Sequence, residues 1–146
     1  MQAFRQFHDQ VERLHDSARA KILGALSAAH RALLARVVGN LAVSAHPDRR
    51  IAARELDAAL TAHERQAILN ESRYVMEQTR ALMNRMRSQM MSTMGSAQRH
   101  RVVMMHGGMR HYGHHHRAPD AGEILLQFAT NEHPPMMQFM VVHHPR

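Results

Sequence analysis

Cysteine and tryptophan are missing from the 146 residues, and there are only two Tyr and four Phe. Without thiols there is no disulfide, no thiolate zinc site and no cysteine nucleophile. Any core is therefore aliphatic and rich in methionine, of which there are 13. No run of about 18 apolar residues is present, which argues against a transmembrane helix. The first residues, MQAFRQFHDQVERL, are charged and amphipathic from the start and lack the apolar centre of a secretory signal. Either the chain is cytoplasmic as given, or a signal has been removed or missed. Acid is missing from one long stretch. Gln78 to Pro119 holds no Asp or Glu, whereas Arg80, Arg85, Arg87, Arg99, Arg101, Arg110 and Arg117 fall there and account for the formal net charge of +7. Lys21 is the sole lysine, and such a preference for Arg fits a genome-composition bias better than selection for bidentate recognition.

Glycine and proline are absent from Thr61 to Met94, and this stretch reads as the element around which the fold is built. Ile68, Leu69, Val75, Met76, Leu82, Met83, Met86, Met90 and Met94 recur in steps of three and four, which keeps one helical face apolar. Thr61 and Glu64 form a capping-box pattern at its start. Such a helix is roughly 50 Å long, more than one short neighbour covers. A homodimer is therefore expected, with the Met83 to Met94 end as its seam.

Three shorter helices are predicted upstream. Over residues 2–23, Phe4, Phe7, Val11, Leu14, Ala18, Ile22 and Ala25 form a near-heptad stripe. Ser27 is a good N-cap for a helix over 28–44 with Leu33, Leu34, Val37, Val38 and Leu41 on its apolar face. Gly39 within it marks a close approach or a kink. Pro47 suits the first turn of a helix over 48–59, with Ile51, Ala52, Leu56 and Leu60 inward. The expected fold class is all-α, a four-helix arrangement on one long helix. Its core comprises Leu14, Ile22, Leu33, Leu34, Val37, Leu41, Leu56, Leu60, Ile68, Leu69, Val75 and Leu82. Residues 1–95 form the helical domain. Residues 96–146 read as a mostly irregular, low-complexity His/Met-rich tail holding nine of the fourteen His. The stretches at 102–105, 123–129 and 136–142 are compatible with short strands, but no turn signal pairs them.

The tail carries the strongest chemical signal. His106, His111, His114, His115 and His116 lie near Met104, Met105 and Met109, and imidazole binds zinc, copper or nickel. No spacing matches a defined structural zinc motif, so the expectation is weak binding by a wrapping segment, set against a merely His-rich solvated tail. The Met83, Met86, Met90 and Met94 face also reads in two ways, as core or dimer seam, or as an exposed surface rimmed by Arg80 and Arg87. Methionine is over-used where varied apolar partners are received, so the exposed alternative fits unfolded or acidic protein clients. The Arg excess alone would give salt-sensitive, sequence-blind affinity for nucleic acid, without a nucleic-acid-binding motif beside it. No GxSxG, GxxxxGK[ST], HExxH or GxGxxG is present, and the chain reads as a non-enzyme.

Leu26-Ser27-Ala28-Ala29-His30 and Leu60-Thr61-Ala62-His63-Glu64 echo each other 34 residues apart. Two copies are too few for a solenoid, and two helices sharing one start signal explain the echo equally well. Both copies resemble degenerate versions of the LTxxQ motif, which occurs twice in the Spy-like and CpxP-like family of small periplasmic helical proteins. The resemblance covers about residues 22 to 94. It implies a long-helix hairpin dimer in the periplasm, acting as an ATP-independent envelope-stress chaperone or a heavy-metal-responsive protein, and a His-rich end suits the metal-linked relatives.

Overall fold

The computed structural model describes residues 2–95 and 117–130, and every regular element among them is an α-helix. These are α1 (Gln2–Ala25), α2 (Ala28–Val43), α3 (Arg49–Ala59), α4 (Ala62–Thr93) and α5 (Ala121–Ala129). The described residues form two compact units, 2–14 with 76–95 and 117–118, and 15–75 with 119–130.

In the first unit Phe7 and Val11 of α1 and Met86 of α4 are buried, while Phe4 at the start of the stripe is 42% exposed. The second unit holds the larger core. Ile22, Leu26, Leu34, Val37, Leu56, Leu60 and Ile68 form one buried cluster with Ala52 and Ala53. Val75 is buried as predicted, whereas Leu14, Leu33, Leu41, Leu69 and Leu82 are only partly covered. Ile51, predicted to point inward, is 59% exposed. The buried face of α3 is set by Ala52, Ala53 and Leu56, and a 3.6-residue period places position 51 to one side of it.

The helix starts follow from side-chain caps. Ser27 Oγ accepts from His30 N at 3.2 Å, and Asp48 Oδ1 accepts from Arg50 N and Ile51 N at 2.9 and 3.1 Å. Pro47 thus precedes the cap instead of sitting in the first turn. Gly39 has open space around it: a Cβ there meets nothing within 4 Å, so it marks no close helix approach. Gly39→Ala is therefore expected to stabilise the protein by about 0.5–1 kcal/mol, because the unfolded chain loses freedom and the folded one loses nothing. A thermal melt of the two proteins checks this.

The fifth helix corrects the sequence reading, in which residues 123–129 are compatible with a strand inside an irregular tail. Asp120 Oδ1 accepts from Glu123 N at 2.9 Å, and Glu123 Oε2 accepts from Asp120 N at 3.0 Å. This reciprocal cap nucleates a helix whose Ala121, Ile124, Leu125 and Leu126 enter the core of the second unit. It packs chiefly on α3 and also on α2. Gly122 meets Ala53 and Asp57 at one end, and Thr130 Oγ1 lies 3.5 Å from Arg49 Nη2 at the other, so α5 runs antiparallel to α3. The His15 and Phe128 rings are 5.5 Å apart, which ties α5 to α1 as well. The stretches at 102–105 and 136–142 lie outside the described residues.

Candidate functional site

The two echoed motifs meet in space at Glu64, the one charged side chain buried among the described residues, 4% exposed. Each motif starts a helix. Thr61 Oγ1 accepts from Glu64 N at 3.2 Å, and Glu64 Oε2 accepts from Thr61 N at 2.9 Å, which completes the capping box of α4. At the start of α2 the equivalent third position is His30, which offers Ser27 N–H no carboxylate. Glu64 supplies it from across the core: its Oε1 accepts from Ser27 N at 2.8 Å. One carboxylate therefore caps two helices.

His30 closes the cluster. Its Nδ1 lies 2.8 Å from Glu64 Oε1 and 2.7 Å from Oε2. Burial alone would raise the pKa of Glu64, but the backbone N–H groups of Ser27 and Thr61, the His30 ring and the Thr61 hydroxyl together hold it down at about 2. The carboxylate is thus ionised and carries no proton to give, so His30 Nδ1–H is the donor. With its lone pairs engaged and its surface covered, Glu64 is a joint between helices and not a base open to a substrate.

The echo extends beyond the caps. Ala18 and Ala52, Ile22 and Leu56, Leu26 and Leu60, and Leu34 and Ile68 are matched at the same offset, and all eight are buried. Arg31 Nη1 donates to Leu23 O at 3.3 Å and to Leu26 O at 3.0 Å. Its counterpart Arg65 donates through Nη2 to Asp57 O at 2.8 Å and pairs with Asp57 Oδ2 at 3.3 Å. In each copy an Arg thus reaches back to a carbonyl in the last turn of the preceding helix, where a cation is favoured. The α1-to-α2 and α3-to-α4 junctions are two versions of one helix–turn–helix corner, joined where the third positions of α2 and α4 meet at His30 and Glu64.

The first unit presents a different surface. Met76, Arg80, Met83, Arg87 and Met90 follow steps of four and three along α4, which places them on one stripe, and Met94 follows just past its end. Met76 is 64% and Met90 42% exposed, Arg80 and Arg87 are exposed, and Met83 and Met94 are partly covered. Met86 departs from the expected surface: it is 7% exposed and belongs to the core of this unit. Met91 is partly covered and Arg85 exposed beside the stripe.

The predicted metal ligands His106, His111, His114, His115 and His116 lie outside the described residues. Among the described residues, His8, Asp9 and Glu12 of α1 bring one ligand atom each within 4.8 Å of one another. All three are exposed, and His8 Nδ1 with Glu12 Oε1 at 3.6 Å is an ordinary i,i+4 pair. No described helix is long and apolar enough to cross a membrane. Comparison with known proteins finds no matching family model, no matching curated protein and no matching solved structure.

Proposed function

We propose that this is a non-enzymatic helical binding protein, a Spy-like or CpxP-like chaperone or metal-responsive protein that holds unfolded or acidic chain segments on the Met/Arg stripe of α4. The observation that carries the reading is the alternation of methionine with arginine on one stripe, at Met76, Arg80, Met83, Arg87 and Met90, all exposed except the partly covered Met83. Methionine adapts its shape to varied apolar side chains, and the Arg rows add attraction for carboxylates without fixing a sequence. Further support comes from the interlocked copies of the Leu-Ser/Thr motif at Glu64, which brace the start of α4 against α2.

The full chain is expected to suppress light scattering from a heat-denatured client protein, and a variant with Met76, Met83 and Met90 changed to Asp should lose most of that suppression with its helicity intact. Undiminished suppression by the variant would remove the stripe from the mechanism. The alternative, non-specific binding of nucleic acid by the same Arg excess, is separated by salt. Affinity for duplex DNA must fall linearly in log–log terms as counterions are released, whereas client holding that depends on methionine persists as salt rises.

The metal arm of the proposal rests on His106, His111, His114, His115 and His116 and foresees weak binding of zinc, copper or nickel. Copper should bind tightest by the usual divalent order. Because neutral imidazole is the ligand, affinity should weaken below about pH 6.5. Isothermal titration of the full chain against a variant with these five His changed to Ala checks it; equal affinities would show that they contribute no site.

A further inference from the structure

α5 is a nine-residue helix in which Ala121, Gly122, Ile124, Leu125 and Leu126 are all buried. A helix this short does not hold in water by itself, so α5 owes its form to the face that receives it. That face is selective. Ala52, Ala53 and Leu56 of α3, with Leu34 and Val37 of α2, belong to the same buried cluster as the α5 side chains. It has a notch that admits only glycine: a Cβ at Gly122 would fall on Ala53 O and lie 2.8 Å from both Cβ and N of Asp57. Asp57 Oδ1 also accepts from Gly122 N at 3.2 Å. The arrangement is that of a groove filled by a matching helical peptide.

The tether distinguishes this helix from the others. α1 to α4 follow one another through the short joins 26–27, 44–48 and 60–61, whereas residues 94–120 lie between α4 and α5. A join of that length spans up to roughly 90 Å when extended, so chain connectivity does not oblige α5 to fill its own groove. The apolar residues of α5, once out of a groove, have no other cover, and the groove of a second copy offers the same notch, the same Asp57 acceptor and the same apolar floor.

We infer that two copies of this chain exchange α5 reciprocally, each helix seated between α2 and α3 of the other, in a closed two-fold dimer. Exchange reuses contacts the fold already makes and needs no new interface. It competes with the helix docked within its own chain, so the dimer grows with protein concentration and after partial unfolding and recooling.

Two full-length variants test this. Gly122→Val disables the helix and leaves the groove; Ala53→Phe blocks the groove and leaves the helix. Each alone should run as a monomer by light scattering, and the equimolar mixture should show a twofold mass, because the sound helix of one copy occupies the sound groove of the other. Addition of Leu125→Asp to the Ala53→Phe copy should return the mixture to monomer. A mixture that stays monomeric while both variants keep the folded core of α1 to α4, read as hydrogen-exchange protection around Ile22 and Leu56, overturns the proposal, and so does a dimer that survives Leu125→Asp. If either variant fails to fold, the cysteine-free chain allows single labels, with a donor dye at Arg54→Cys and an acceptor at Glu123→Cys on separate copies. Energy transfer that appears after co-incubation at high concentration and vanishes with excess unlabelled chain supports exchange; no transfer contradicts it.

Discussion

Replacing Glu64 by alanine is expected to cost on the order of 3–5 kcal/mol of folding stability, the range for breaking a buried ionic cluster from one side. The loss falls on three donors at once. Ser27 N, Thr61 N and His30 Nδ1 all give their protons to this carboxylate, and a buried donor without an acceptor costs about 1–3 kcal/mol. Glu64→Gln should cost less, since its carbonyl oxygen still serves one backbone amide. The –NH2 group, however, faces a second donor, so some loss remains. The variants also differ in acid response. The hydrogen bonds of the folded chain hold the native carboxyl at about 2, below the ordinary 4.5 of a glutamate, so its contribution is complete above pH 4.5 and disappears as pH falls towards 2. By linkage that contribution is roughly 3 kcal/mol. Urea melts of the native chain from pH 5 to pH 2.5 should show this fall, and Glu64→Gln, with no carboxyl at that position, should show a shallower one.

The second large effect belongs to Gly122. Gly122→Ala should release α5 from α3, because the added methyl meets the Ala53 carbonyl and the Asp57 backbone, neither of which yields as a flexible side-chain tip would. Ile124, Leu125 and Leu126, now 4%, 1% and 2% exposed, would lose their cover, and full burial of such a side chain is worth about 1.5–3 kcal/mol. Part of that is offset by the freedom the released helix regains, which leaves a net loss of about 2–4 kcal/mol. Hydrogen exchange resolves the event by position. Amides of residues 124–126 should lose protection while those around Ile22 and Leu56 keep most of theirs; unchanged protection at 124–126 would mean that the notch accommodates a side chain.

The first four helices are legible from the three-and-four spacing of their buried faces. Ser27 and Thr61 mark the starts of two of them, whereas the cap of α3 is Asp48, one residue after the Pro47 that signals its start in the sequence. α5 was hidden by its length. The apolar run from Ile124 to Phe128 is too short for periodicity to distinguish helix from strand, and Asp120-x-x-Glu123, the one local signal that decides it, lies within a low-complexity composition. Ile51 reads as inward because it is one of the two large apolar residues of α3, whereas packing selects Leu56 with the small Ala52 and Ala53. The function of Glu64 was half legible. Its bond to Thr61 is local and follows from the capping-box pattern, but its bond to Ser27 joins residues 37 apart. Only the 34-residue echo could have suggested it, since His30 in the first copy leaves unfilled the acceptor position that Glu64 fills in the second.

The braced helix pair at Glu64 underlies both the repeat and the support given to α4, and a proton titration followed at backbone amides tests it most directly. The Ser27 and Thr61 amide resonances, on different helices, should move together with the Glu64 carboxyl carbon, remain unchanged down to about pH 3.5 and shift only as pH approaches about 2. In Glu64→Gln both responses should vanish. A Ser27 amide indifferent to Glu64, or a carboxyl that titrates near 4.5, would contradict the joint.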